Sequence, residues 1–202
     1  MKNSHQLITS VMVGITLMGS GLATGLIAVS ASQPMIAQAK APLVPKSVNH
    51  YPSRKITYHI DSTSKYYRQV WQQAIKNWNK QKIVKLVPVK SKKRAQIRVW
   101  TVKKLPKGLR KYAYNWDFDV KYSKKYKKDL MSSSTAQLSQ ETMHYFYLSK
   151  LERINVATGA IGSTLGLLKS RSEWSVMGTS MQYNSISKYD RQGLQRAYQG
   201  VK

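Results

Sequence analysis

The chain of 202 residues contains no cysteine. That excludes disulfides, thiol catalysis, cysteine-bound zinc and iron–sulfur clusters, so the fold has to be held by packing. Acidic side chains are also scarce: eight Asp and Glu stand against 34 Lys and Arg, a formal net charge of +26. Only two Phe occur, yet five Trp and thirteen Tyr supply bulk for a core, and a hydrophobic share of 42% argues against intrinsic disorder. No internal repeat is visible, and the length suits one domain of about 160 residues after a leader is set aside.

What is present begins with an export pattern. Lys2 precedes an apolar run from Leu7 to Val29, and Ala37-Gln38-Ala39 has the small-residue spacing of a cleavage site before Lys40. Residues 1–39 are therefore expected to be a signal peptide. The alternative is a retained N-terminal membrane anchor, because the run is long enough to span a bilayer, although Gly14, Gly19, Gly21 and Gly25 weaken it. Residues 40–53, with Pro42, Pro45 and Pro52, suggest an extended linker, which starts the domain near Arg54 and runs it to 202. The expected location is the cell exterior or envelope.

Ile56-Thr57-Tyr58-His59-Ile60 alternates like a strand, and Asp61-Ser62-Thr63-Ser64 follows as a turn with a helix cap. Tyr67, Val70, Trp71, Ala74, Ile75 and Trp78 recur at helical spacing and predict one amphipathic helix. Residues 83–89 and 95–102 are expected as strands, the second with Ile97, Val99 and Thr101 on one face. Tyr112 to Trp116 suggests a hairpin or edge strand, Ser132-Ser133-Ser134 a loop, residues 136–139 a short strand, and residues 141–151 a helix through Met143, Tyr147 and Leu151. A helical pattern ending at Gly166 follows, then a last helix from Lys188 to Tyr198 opened by Ser187 and Asp190. This order predicts an α+β fold, an α/β sandwich with helices backing one twisted sheet.

From Gly159 the chain reads Gly159, Ala160, Ile161, Gly162, Ser163, Thr164, Leu165, Gly166, Leu167, Leu168, Lys169, with Ser175-Val176-Met177 downstream. This framework resembles the active-site segment of the matrixins, metzincin-type zinc metallopeptidases. Their helix carries H-E-x-x-H-x-x-G-x-x-H, and a methionine turn follows it. The resemblance implies a zincin-like, mostly parallel sheet and a secreted protein of the Gram-positive bacterial kind. It matches Gly166 to the helix-ending glycine and Met177 to the methionine turn.

At the working positions the sequence departs from that pattern: the first His falls on Gly159, the Glu on Ala160, the second His on Ser163 and the third on Lys169. Zinc needs converging lone pairs, and the Glu takes a proton from zinc-bound water. Glycine and alanine offer neither, serine is a poor neutral ligand, and a lysine ammonium repels the cation. The expectation is a pseudoprotease without zinc and without a catalytic residue. Its cleft is expected still to accept an extended peptide along a sheet edge. An active metallopeptidase, the activity the family name implies, would need a second ligand set, and none is visible.

Other constellations are weaker. His59 and Asp61 share a strand face but lack a third ligand. Glu141 and His144 make a single Glu-x-x-His where a bundle di-metal site uses two. Asp117 and Asp119 stand two apart beside aromatics, an arrangement found in some sugar sites, but pairing with nearby lysine is the simpler expectation. The densest basic group is Lys121, Lys124, Lys125, Lys127 and Lys128, interleaved with Tyr122 and Tyr126. Lys90, Lys92, Lys93 and Arg94 form a second group, and Lys103, Lys104, Lys107, Arg110 and Lys111 a third. Such clusters can hold anionic wall polymers or other polyanions without sequence-specific nucleic-acid recognition, or can be a solvated surface that aids solubility.

Overall fold

The computed structural model describes residues 44–61 and 64–201. The expected leader, its cleavage site after Ala39 and the anchor alternative lie outside the described residues. Among those described, no helix is long and apolar enough to cross a membrane.

The elements run β1 (Lys55–Ile60), α1 (Lys65–Asn79), β2 (Lys85–Pro88), β3 (Ile97–Val102), β4 (Tyr114–Ser123), β5 (Lys128–Ser139), α2 (Gln140–Tyr145), α3 (Lys150–Thr164) and α4 (Lys188–Ala197). One five-stranded sheet has the order β2-β1-β3-β5-β4. Its neighbours are parallel except that the edge strand β4 runs antiparallel to β5. The expected α+β architecture with a mostly parallel sheet is the one observed.

Side-chain period explains how the layers meet. All six residues of the α1 stripe are buried, Ser64 caps the helix by accepting from the Tyr67 N–H, and both indoles are satisfied. Trp71 Nε1 donates to Thr101 Oγ1 at 3.1 Å, and Trp78 Nε1 donates to the Thr158 carbonyl at 2.8 Å. Those two bonds tie α1 to β3 and α3. On β3, Ile97 and Val99 are fully buried, while Arg98 and Trp100 point the other way and are only partly covered.

α3 begins with a capping box between Ser149 and Glu152 and is buried on all sides from Asn155 to Thr164. Such all-round burial is possible because small residues let neighbours approach. Its end is a left-handed glycine cap: Gly166 has φ +95°, Leu167 N–H donates to the Gly162 carbonyl and Gly166 N–H to that of Ser163. A Cβ at Gly166 would also collide with the carbonyl oxygen of Asn49.

That contact moves the domain boundary. The stretch expected as a linker is, from residue 44 onward, laced into the domain: Val48 N–H donates to the Gly166 carbonyl and Leu168 N–H to that of Lys46. Tyr51 is fully buried, its hydroxyl 2.7 Å from Ser134 Oγ. Proline-rich composition predicted an extended backbone, but an extended backbone can also pair.

Two local expectations fail for similar reasons. Ser132-Ser133-Ser134 is strand, part of β5, because the Ser134 hydroxyl is satisfied by Tyr51 and the Thr164 carbonyl. The helix expected over 141–151 breaks into α2 and α3: Tyr147 takes φ +52°, and Ser149 starts a new helix. Tyr147 and Leu151 are exposed instead of forming an apolar face with the buried Met143.

His50 is buried against the rings of Tyr126 and Tyr198, its Nδ1 donating to the Tyr51 carbonyl at 2.7 Å. Burial lowers its pKa below the ordinary 6.5; the backbone bond opposes this, and the Lys128 charge adds to the lowering. A base with a depressed folded pKa contributes stability that is complete above the unfolded value and is lost as pH falls below it. Stability in urea is therefore expected to drop between about pH 7.5 and pH 5, and His50→Gln to flatten that drop. Equal pH slopes for the two proteins would refute the assignment.

Candidate functional site

The middle of α3 is packed without room to spare. The Cβ that any other residue would carry at Gly159 would lie 2.8 Å from the Val176 carbonyl oxygen and 3.2 Å from Met181 Sδ. At Gly162 it would run into Met177 Sδ and sit 2.8 Å from the Trp78 ring. Ala160 is fully buried. Ser163 is 2% exposed, and its hydroxyl is 3.2 Å from the Tyr114 hydroxyl of β4. Lys169 lies beyond the Gly166 cap, where partial burial holds its pKa below the usual lysine range.

The turn carrying Met177 is pinned by Asp190, the N3 acid of α4. Its carboxylate accepts from the Ser175 hydroxyl, from the Val176 N–H at 3.2 Å and from the Ser187 N–H at 2.8 Å. Asp190 is fully buried. This segment is core packing: the atoms that crowd Gly159 and Gly162 are methionine sulfur and methyl groups, the Trp78 ring and a backbone carbonyl.

The other acidic candidates are engaged. Asp61 is bound by the Arg98 guanidinium, with His59 Nε2 at 3.7 Å. Glu141 pairs with Lys104 at 2.8 Å. Among the described residues, Asp117 and Asp119 do not make the lysine pairs expected of them: Asp117 accepts from the Phe118 N–H at 2.8 Å and Asp119 from the Ser133 hydroxyl at 2.6 Å. Among the described residues, no group of three or more His, Cys, Asp or Glu is gathered in a metal-binding arrangement.

The basic residues are arranged more pointedly. Lys121, Lys124, Lys125, Lys127 and Lys128 are all exposed around the end of the β4–β5 hairpin, whose four-residue loop closes with Lys127 at φ +51°. Lys125 Nζ lies 5.2 Å from the Tyr126 ring centre, and Tyr122 is 65% exposed, leaving an aromatic face open beside the charges. Lys121 also lines a cavity of about 860 Å³ with Lys93 and Arg94, so the first two basic groups adjoin. The third does not join them. Residues 103–111 lie at the opposite end of β3, where the Lys103 and Arg110 carbonyls accept from Glu141 and Thr142.

No protein-family model matches this chain, and no curated protein matches it. The functional reading therefore rests on the chain's own residues.

Two elements of this region escape sequence reading. Asp190 was legible as a capping acid, but its hold on the methionine-bearing turn is a contact across fifteen residues. Tyr114 over Ser163 joins a strand to a helix 49 positions away. Neither leaves a local pattern.

Proposed function

We propose that this chain is an exported, non-catalytic domain on a matrixin-like scaffold, retained at the cell envelope by anionic polymers. The observation that carries the reading is the contrast between two regions. The former working positions Gly159, Ala160 and Ser163 are buried against Val176, Met181 and Tyr114, whereas five lysines stand exposed on one hairpin beside Lys93 and Arg94. The mostly parallel sheet, the glycine-capped helix and Met177 packed against it support the scaffold half of the reading.

Clustered lysines bind polyanions by releasing condensed counterions, a term that reads charge density and not sequence. Envelope phosphate polymers fit that chemistry better than a defined nucleic-acid site does. Among the described residues the outer edge of β4 has no strand neighbour, which supports the accompanying expectation that an extended peptide can pair there without metal.

The purified chain is expected to leave casein intact with or without added zinc, and to elute from isolated cell walls at moderate salt. Casein cleavage abolished by a chelator would overturn the non-catalytic half. Retention insensitive to salt would overturn the polyanion half.

A further inference from the structure

A second concave surface lies in the helical layer, away from the lysine hairpin and the filled motif. Gln69, Gln73, Gln81, Leu151, Ile154 and Asn155 are among the residues that border a groove of about 820 Å³ between α1 and α3, a volume in the ligand-site range. In a chain so rich in lysine, one stripe of α1 and its closing turn, at positions 69, 73, 77 and 81, carries nothing but side-chain amides.

The amides are held in a row. Gln73 Nε2 donates to Asn77 Oδ1 at 3.0 Å, Asn77 Nδ2 donates to Thr158 Oγ1 at 3.2 Å, and Gln81 Nε2 donates to the Asn77 carbonyl at 3.0 Å. Across the groove, Asn155 Nδ2 donates to the Gln182 carbonyl at 2.9 Å. In each of Gln73, Gln81 and Asn155 the donor is spent within the protein, and the amide oxygen has no partner among the described residues. Gln69 keeps both ends.

Spacing then selects a ligand. Residues four apart on a helix rise by about 6 Å. A β-strand repeats its outward N–H groups along one edge every two residues, about 6.6 Å. Asn77 Oδ1 is spent on Gln73, so the open oxygens at 69, 73 and 81 stand about one and then two helix steps of 6 Å apart, close to one and two repeats of a strand's edge N–H groups. Leu151, Ile154 and Ile186 offer aliphatic surface for its side chains. No aromatic ring lines the groove, so the stacking face that favours sugars and bases is missing there. Lys80 and Lys150 complement acidic residues, in keeping with the charge of the whole chain.

We propose that the groove between α1 and α3 binds an extended acidic peptide segment of a partner protein, whose backbone N–H groups are taken by Gln69, Gln73, Gln81 and Asn155. This site is separate from the β4 edge and does not depend on the polyanion reading.

The test uses the full chain and a fluorescein-labelled peptide with alanine at alternate positions, Glu-Ala-Val-Ala-Glu-Ala-Val-Ala-Glu, followed by fluorescence anisotropy. Saturable binding is expected, weakened at least ten-fold in Gln69→Ala/Gln73→Ala/Gln81→Ala, a variant whose first two changes favour helix within α1 and whose third lies in the turn after it. The same peptide with its alanines N-methylated, which alters only the ligand, is expected to bind at least ten-fold more weakly. Equal binding of the methylated peptide would overturn backbone recognition. Loss of binding on neutralising Lys121, Lys124, Lys125, Lys127 and Lys128 with glutamine, with the amide variant unaffected, would assign the peptide to the hairpin. Displacement by an uncharged N-acetylated oligosaccharide would replace peptide with glycan as the occupant.

Discussion

Glutamate at Lys121, Lys124, Lys125, Lys127 and Lys128 together is expected to lower the salt slope of polyanion binding by about five, roughly one unit for each phosphate contact removed. With duplex DNA of arbitrary sequence as the reference polyanion, binding at low salt should weaken by about two to three orders of magnitude. The five side chains are exposed, and the hairpin's packing rests on Tyr126, Leu130 and Met131, so the fold should tolerate the change. The informative control reverses five exposed lysines elsewhere, Lys55, Lys65, Lys76, Lys85 and Lys188, to reach the same net charge. That control should lose far less. Equal losses in the two proteins would mean that the surface acts as diffuse charge, and the hairpin would cease to be a site.

Asp190→Ala should be among the most destabilising single substitutions in the domain. It removes the acceptor for three donors, the Ser175 hydroxyl and the N–H groups of Val176 and Ser187. Each buried donor left without a partner costs about 1–3 kcal/mol, and breaking a buried charged network costs about 3–5 kcal/mol in all. For a domain of this size that corresponds to a fall in Tm of roughly 6–20 °C. Asp190→Asn keeps one acceptor oxygen and should lose less. Thermal unfolding followed by circular dichroism reads both. A fall below about 3 °C for Asp190→Ala would show that the methionine-bearing turn is held by packing alone.

Periodic elements were legible before the fold was known because their signal is local. The α1 stripe from Tyr67 to Trp78, the alternation of β3 and the Ser187/Asp190 box of α4 each record one element's burial in its own residues. What packs around the segment from Gly159 to Ser163 was not legible. Val176, Met181 and Tyr114 reach it from a turn, a short 3₁₀ segment and a strand, and matching volumes between distant segments leave no periodic trace. Ser132 to Ser134 misled for the same reason: three serines carry no strand signal, and the partners that make Ser134 a core residue are Tyr51 and Thr164. The three basic groups looked equivalent along the chain, and only the direction of β3 separates Lys103 to Lys111 from the other two.

The pairing of residues 46–48 with residues 166–168 has a mechanical side. Force applied to this domain through its N-terminal segment meets α4, where Pro45 packs on Gly193, and then the Gly166 turn, because Val48 and Lys46 bond on either side of Leu167. That turn is the end of the helix packed through the centre of the molecule. Load entering there is passed to α3, and through Trp78 to α1, so the domain would resist being peeled from its first described residues inward.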